Sequence, residues 1–163
     1  MLDFDAIDLK ILKLLQQRAD LPIAEIGAQV GLSHTPCWRR IRRLEDTGVI
    51  RERVVVLDPV KVGLAVSVFA LITMESQKKS ALAAFERSVL SEPEIVDCHS
   101  VTGTSDYMLR VVVSDVASYE RYLKETLVHL PNVKQVTSSF ALREIKQSSA
   151  LPLPQQPKKS TAA

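Results

Sequence analysis

The sequence has few of the features that mark a secreted or membrane protein. It contains only two cysteines, Cys37 and Cys98, so no disulfide framework is indicated and free thiols fit a reducing compartment. The longest apolar run, near residues 64–72, is shorter than the roughly 20 residues that a bilayer requires. The acidic start of the chain lacks the basic region of a signal peptide. We therefore expect a cytoplasmic protein with no membrane partner.

The chain also lacks a large net charge. Its 21 lysines and arginines nearly balance 19 acidic residues, which leaves a net charge of +2. Any surface for an anionic partner must therefore come from local clustering of charge. No lysine occurs between residues 14 and 60, yet four of the five residues from 39 to 43 are arginine. This arginine cluster is the first candidate for a functional surface.

The first fifty residues follow the pattern of three helices. Apolar residues at helical spacing predict helices over 5–17, about 22–29 and about 33–47. Gly31 stands where glycine commonly ends a helix, and Ser33 is placed to cap the third helix. A tight glycine turn between the second and third helices predicts a helix-turn-helix. A strand is predicted next, over 49–57, and Asp58-Pro59 ends it.

The second half of the chain alternates strands with helices. Strands are predicted over 65–75, 95–102, 106–113 and 133–145, and helices over 78–90 and 116–130. The order βαββαβ is the ferredoxin-like arrangement, in which both helices cover one face of the sheet. Because the first strand is apolar on both faces, we expect the other face to meet a partner sheet, most simply in a homodimer.

These patterns predict an α+β chain with four parts. We assign residues 1–50 to a helix-turn-helix domain and 51–64 to a linking strand and hinge. Residues 65–147 form the ferredoxin-like domain, and 148–163 form a C-terminal tail. Because the tail is rich in Pro, Ser and Gln, we expect it to be partly disordered, mostly beyond about Pro154.

The third predicted helix separates an apolar face from a cationic face. At about 100° per residue, Cys37, Ile41 and Leu44 share one face. The candidate DNA contacts lie on the opposite face and its flanks: Thr35, Trp38, Arg39, Arg40, Arg42 and Arg43. A helix of this length, roughly 20 Å, fits a DNA major groove, and the guanidinium fork suits phosphate or guanine. Alternatively, the run is a solvated helix whose arginines pair with nearby carboxylates.

At this point the sequence resembles a known family. The segments IDLKILKLLQQ and GLSHTPCWRRIRRLEDTGVI resemble the N-terminal half of the Lrp/AsnC (feast/famine) transcription regulators, and VTGTSDYMLRVVV and VTSSFALREIK resemble the second half. The resemblance spans about residues 3–154. It implies a winged-type helix-turn-helix that binds double-stranded DNA, and a ferredoxin-like domain that binds an amino acid or a similar metabolite. It also implies dimers that often assemble into octamers. We expect no cofactor.

The resemblance also implies a ligand-binding site near the G-x-x-D-Y turn. Carried over, the site comprises Gly103, Thr104, Asp106 and Tyr107, with Thr137, Ser138 and Ser139 as additions from a neighbouring dimer. Asp106 could accept from an ammonium group, while serine hydroxyls and N–H groups beside glycine could donate to a carboxylate. On turn chemistry alone, this segment would be only a hairpin turn. Leucine or methionine, cysteine and proline all remain candidate effectors.

Other chemistries find little support in the sequence. His34 and Cys37 are three residues apart, but two ligands do not make a metal site, so we expect no metal. Adjacent Cys98 and His99 point to opposite faces of a strand and cannot form a dyad. An enzyme of amino-acid metabolism would need a base–nucleophile pair in the second half, and none is evident. An effector-independent architectural DNA-binding protein stays open, because only a response to a small molecule separates it from a regulator.

Overall fold

The computed structural model describes residues 4–154 and divides them between two compact units. The first unit contains the described residues up to Val55 and those from Lys146 onward, and the second runs from Val56 to Ile145. The disorder expected beyond Pro154 lies outside the described residues. Within the described part, no helix combines the length and apolarity needed to cross a membrane.

The first unit is built on three helices, α1 (Ala6–Gln17), α2 (Ile23–Val30) and α3 (His34–Asp46). Asp5 caps α1, because its carboxylate accepts from the N–H groups of Ile7 and Asp8, and the Asp8 carboxylate accepts from the Asp5 N–H. This reciprocal capping box fixes where the chain becomes helical. Ser33 occupies the capping position of α3, but its side chain makes no capping hydrogen bond.

Two glycines shape the turn of the helix-turn-helix. Gly31 follows α2 in the left-handed conformation, with φ of 74°, as predicted. A Cβ on Gly27 would lie 2.6 Å from the carbonyl oxygen of Leu32, so only glycine allows this close approach. The predicted inner face of α3 is confirmed, because Cys37, Ile41 and Leu44 are all buried in the core of this unit.

The strand predicted over 49–57 is wrong for the single chain. Residues 51–58 have no regular secondary structure, and the side chains there are exposed, Val55 by 85%. Its run of valines favours an extended backbone. A strand, however, also needs a hydrogen-bonding neighbour, and no described segment of this chain pairs with it.

The second unit has the predicted βαββαβ order of a ferredoxin-like fold. Its elements are β1 (Val66–Met74), α4 (Lys79–Val89), β2 (Ile95–Ser100), β3 (Tyr107–Val113), α5 (Val116–Glu125) and β4 (Val133–Phe140). The antiparallel sheet has the order β2-β3-β1-β4. The last strand ends at Phe140 rather than near Ile145, because its ladder with β1 ends at the pair Val68 and Phe140, close to the start of β1.

One face of the sheet is covered by helices, and the other carries a mixed apolar and polar surface. On the covered face, Val68, Ala70 and Ile72 of β1 are fully buried. On the open face, Phe69 pairs with Arg110 of β3 and remains 38% exposed. The sheet therefore buries one face within the chain and leaves the open face without a covering layer among the described residues.

All three tyrosines lie in this second unit and resist ionisation. Burial and a hydrogen bond to Glu86 raise the pKa of Tyr107 to about 12. Burial also raises the pKa of Tyr119, and burial with nearby Glu92 raises that of Tyr122. Each folded-state pKa lies above its unfolded value, so this contribution to stability is complete below about pH 10 and is lost as pH rises further.

We therefore expect much less phenolate absorbance at about pH 10 than three free tyrosines give, while the circular dichroism stays native, followed by phenolate formation together with unfolding. A spectrophotometric pH titration measures this directly. One phenolate per chain forming near pH 10 in the folded protein would contradict the description of these three side chains.

Candidate DNA-binding surface and ligand-binding turn

The outer face of α3 presents part of the predicted arginine cluster to solvent. Thr35 and Arg39 are exposed and have no hydrogen-bond or ion-pair partner among the described residues. Trp38 is 44% exposed, and the Arg42 guanidinium lies 6.0 Å from its ring centroid. Arg42 also approaches Glu45 at 3.4 Å. These four side chains form a surface that can meet a phosphate backbone or base edges.

The other two arginines of the cluster bind α1. Arg40 donates from Nη1 to Asp5 at 2.6 Å and to Asp8 at 2.9 Å, and Arg43 donates from Nη2 to Asp8 at 2.5 Å. These hydrogen bonds to Asp8 and Asp5 raise the pKa of Arg40. Burial raises the pKa of Asp5, but the hydrogen bonds that it accepts outweigh burial and leave the pKa below its usual value. The cluster is therefore divided: Arg40 and Arg43 bind α1, whereas Arg39 and Arg42 stay on the outer face of α3.

Asp8 is the residue of this network that the sequence analysis missed. Its side chain is only 1% exposed, and each of its two oxygens accepts from a different arginine. In the sequence, Asp5 and Asp8 stand at the start of a helix, where carboxylates suit the positive end of the helix dipole, and this alone would explain them. A signal was nevertheless present, since Asp8 lies three and four residues before Ile11 and Leu12 and so points to the buried face of α1.

In the second unit, the predicted ligand contacts Asp106 and Tyr107 already form hydrogen bonds within the chain. The Asp106 carboxylate accepts from the N–H of Met74 at 2.7 Å and from the amide of Gln77 at 2.7 Å. Tyr107 is buried, and its hydroxyl donates to Glu86 at 2.8 Å. Gln77 and Glu86 were missed by the sequence analysis, because they are distant along the chain and belong to no recognisable motif.

The turn before Asp106 holds the free hydrogen-bond donors. Gly103 has φ of 120°, which favours glycine, and the Val101 N–H closes the turn by donating to the Asp106 carbonyl at 2.9 Å. Within the described residues, the backbone N–H groups of Gly103, Thr104 and Ser105 donate no hydrogen bond. These three successive N–H groups are available as donors to a ligand carboxylate.

The predicted contacts on β4 divide between the two faces of the sheet. Thr137 and Ser139 are exposed on the open face, whereas the Ser138 hydroxyl lies 2.6 Å from that of Tyr119 on the helix side. Strand β1 separates β3 from β4, so these residues are about 10 Å, or two strand spacings, from β3. One chain therefore does not bring the turn and Thr137 together. In the part of the chain described, no three His, Cys, Asp or Glu side chains converge as a metal site.

Two families match successive parts of this chain. Residues 4–51 match the winged helix-turn-helix DNA-binding family, and residues 67–151 match the Lrp/AsnC ligand binding domain. A DNA-binding helix-turn-helix followed by a ligand-binding domain defines a transcriptional regulator rather than an enzyme.

Similar proteins extend this match over nearly the whole chain. The Bkd operon transcriptional regulator of Pseudomonas aeruginosa is 41% identical over 153 residues, which cover 94% of this chain and 100% of that protein. The crystal structure of an AsnC family transcriptional regulator from Agrobacterium tumefaciens is 43% identical, with a TM-score of 0.86 and coverage of 91% and 97%.

A third relative was solved with a ligand. It is a transcriptional regulator from Neisseria meningitidis in complex with L-methionine, 35% identical, with a TM-score of 0.87 and coverage of 91% of this chain and 96% of that one. The chain belongs to the Lrp/AsnC family of transcriptional regulators, which confirms the resemblance seen in its sequence.

Proposed function

We propose that this regulator binds a free amino acid at the Gly103–Tyr107 turn and that the amino acid changes its DNA affinity or assembly. The observation that carries the proposal is the row of three free N–H groups from Gly103 to Ser105. An α-carboxylate is the common feature of amino acids and suits such donors. Methionine or leucine is the leading candidate, because the Neisseria relative was solved with L-methionine. Cysteine and proline are the other candidates.

In this site, Asp106 shapes the turn and retains capacity to accept another hydrogen bond. Each of its oxygens accepts one hydrogen bond within the chain, which leaves a second lone pair on each for an ammonium group. Thr104 lies on the exposed part of the turn. Thr137 and Ser139 complete the site from a neighbouring dimer, since the sheet keeps them away from the turn of their own chain.

Replacing Asp106 by alanine is expected to abolish the effector response and leave basal operator affinity within about twofold, because the DNA-binding residues lie in the other unit. Operator titrations with and without the amino acid measure both quantities. Gln77→Ala should weaken the response less, since it removes only one of the two anchors of Asp106.

Glu120→Gln is a matched control for Asp106→Ala, because it removes an exposed carboxylate whose one ion-pair partner in residues 4–154 is Lys124. It should respond as the wild type does. An unchanged effector affinity in Asp106→Ala would remove Asp106 from the site.

On the DNA side, we propose that α3 enters the major groove. Thr35, Arg39 and Arg42 make the direct contacts, and Trp38 supports them from the flank. Arg40 and Arg43 were expected to touch DNA, but their hydrogen bonds to α1 favour a role in holding α3 in place. Two-fold dimers then predict half-sites about one helical turn apart, or a multiple of that.

We further propose that the protein works in the cytoplasm as homodimers that assemble into octamers. Phe69 and Leu71 on the open face of β1, with Met108 and Val112 of β3, supply an apolar surface for a second sheet. The exposed, unpaired valines of the linker (residues 51–64) supply a strand edge for the same segment of another copy. The domain limits that we propose remain 1–50, 51–64, 65–147 and 148–163.

A further inference from the structure

The C-terminal segment Leu151–Leu153 is attached to α1 of the helix-turn-helix unit. The Leu151 N–H donates to Gln16 Oε1 at 2.6 Å, and the Leu151 carbonyl accepts from Gln16 Nε2 at 3.3 Å. One side-chain amide therefore satisfies both backbone groups of a residue that is 135 positions away in the sequence. Two residues further on, half-buried Leu153 packs against the apolar core of the unit. Two kinds of contact, the hydrogen bonds of the Leu151 backbone and the apolar packing of Leu153, therefore hold this three-residue segment on the unit.

The local sequence restricts the backbone conformation of this segment before it docks. The Leu153 N–H donates to the Leu151 carbonyl at 2.9 Å, which closes a three-residue turn centred on Pro152. The rings of Pro152 and Pro154 fix φ at both positions, so less conformational entropy is lost when the segment binds. The Leu151 side chain remains 70% exposed, which shows that its backbone and not its side chain makes the attachment.

We propose that Leu151–Leu153 is a strap that docks on its own chain's α1 and couples the ligand-binding unit to the DNA-binding unit. The chain passes between the two units twice, after Val55 and after Ile145. Docking anchors the second crossing on α1 of the DNA-binding unit. Ile145 and Leu151 are six residues apart, or at most about 20 Å of extended chain, so a docked strap limits how the units can separate.

The coupling part of this inference rests on the proposed amino-acid response. Strand β4 carries Thr137 and Ser139, and the chain continues from Phe140 into the strap with no further helix or strand. A displacement of β4 on ligand binding would therefore act on α1 through about ten residues of chain. The linker before β1 already joins the two units, so the docked strap adds a second connection between them.

Docking is tested by cross-linking in the full-length chain. Lys13→Cys, at an exposed position one turn before Gln16 on α1, and Leu151→Cys are combined with Cys98→Ser, so that Gln16 stays intact. Cys37 is retained because it is fully buried. A short bis-maleimide should join the two positions within one chain, giving a monomer of altered gel mobility. The control carries the same cysteine pair together with Gln16→Ala and Leu153→Asp, which remove both docking contacts, and should give much less of this product. A product only at twice the chain mass, or none, would overturn docking in cis.

Coupling is tested by Leu153→Asp combined with Gln16→Ala, with Leu142→Asp as the control. Basal operator affinity should stay within about threefold of wild type, while the change in affinity on adding amino acid should shrink about threefold or more. Hydrogen exchange at the end of α1 should rise. A wild-type response in the strap variant would overturn the coupling. If no amino acid changes the operator affinity of the wild-type protein, both the proposed function and the coupling are overturned. The cross-link still tests docking, because it does not depend on an amino acid.

Discussion

Replacing Asp8 by asparagine is expected to destabilise the helix-turn-helix unit by about 2–4 kcal/mol. Asp8 is the one buried charged side chain among the described residues, and both of its oxygens accept from arginines of α3. Asparagine keeps the size but loses the charge, and it brings an NH2 group to face a guanidinium. The arginines remain partly exposed and can be hydrated, which keeps the loss below that of a fully buried pair.

Urea unfolding followed by the fluorescence of Trp38 measures this loss. Trp38 is the sole tryptophan of the chain and lies on α3, so it reports on the unit that Asp8 stabilises. Protein concentration must be fixed, because association contributes to apparent stability. Asp46→Asn is the matched control, since Asp46 is exposed on α3 and forms no ion pair within the described residues. It should lie within about 0.5 kcal/mol of wild type, and the same result for Asp8→Asn would contradict a structural role for the network.

Replacing Arg39 by alanine is expected to weaken operator binding by about 1–3 kcal/mol, or about 5- to 150-fold, if the side chain reads a base. Arg39 is the exposed arginine of α3 with no partner among the described residues, so its removal costs the fold little. Arg42 should show a smaller effect, because Glu45 and the Trp38 ring already compete for its guanidinium.

Titrations on operator and scrambled DNA at one salt concentration distinguish a contact to a base from a contact to a phosphate. A loss confined to the operator marks base reading, whereas an equal loss on both DNAs marks a phosphate contact. Arg121→Ala removes an exposed arginine from the ligand-binding unit and should leave both affinities unchanged. Wild-type operator affinity in Arg39→Ala would exclude Arg39 from the interface.

The helical and strand pattern could be predicted from sequence because it depends on local spacing. The inner face of α3 followed from the positions of Cys37, Ile41 and Leu44 alone, and the βαββαβ order followed from apolar periodicity. The linker strand could not be predicted reliably, because strand formation depends on a neighbour that the valine-rich segment does not specify. Local propensity favours an extended backbone in this segment, but only pairing with another strand makes it part of a sheet.

Individual site residues were harder to predict because their roles depend on distant partners. Arg40 and Arg43 share a helix with Arg39, and only the fold shows that Asp8, 32 and 35 residues earlier, binds them. Similarly, a turn motif marks Asp106, but only the fold brings Met74 and Gln77 to its carboxylate. The attachment of Leu151 was hidden for the same reason, since no motif links Leu151 to Gln16, 135 positions away.

The central claim is that this chain is an amino-acid-responsive regulator. The most direct test is a binding titration on the DNA upstream of its own coding sequence, repeated with each standard amino acid at a fixed salt concentration. We predict tight, sequence-specific binding whose affinity shifts with one or a few amino acids, methionine or leucine first. Equally tight binding that no amino acid alters would contradict the claim and favour an architectural role in which α3 alone carries the function.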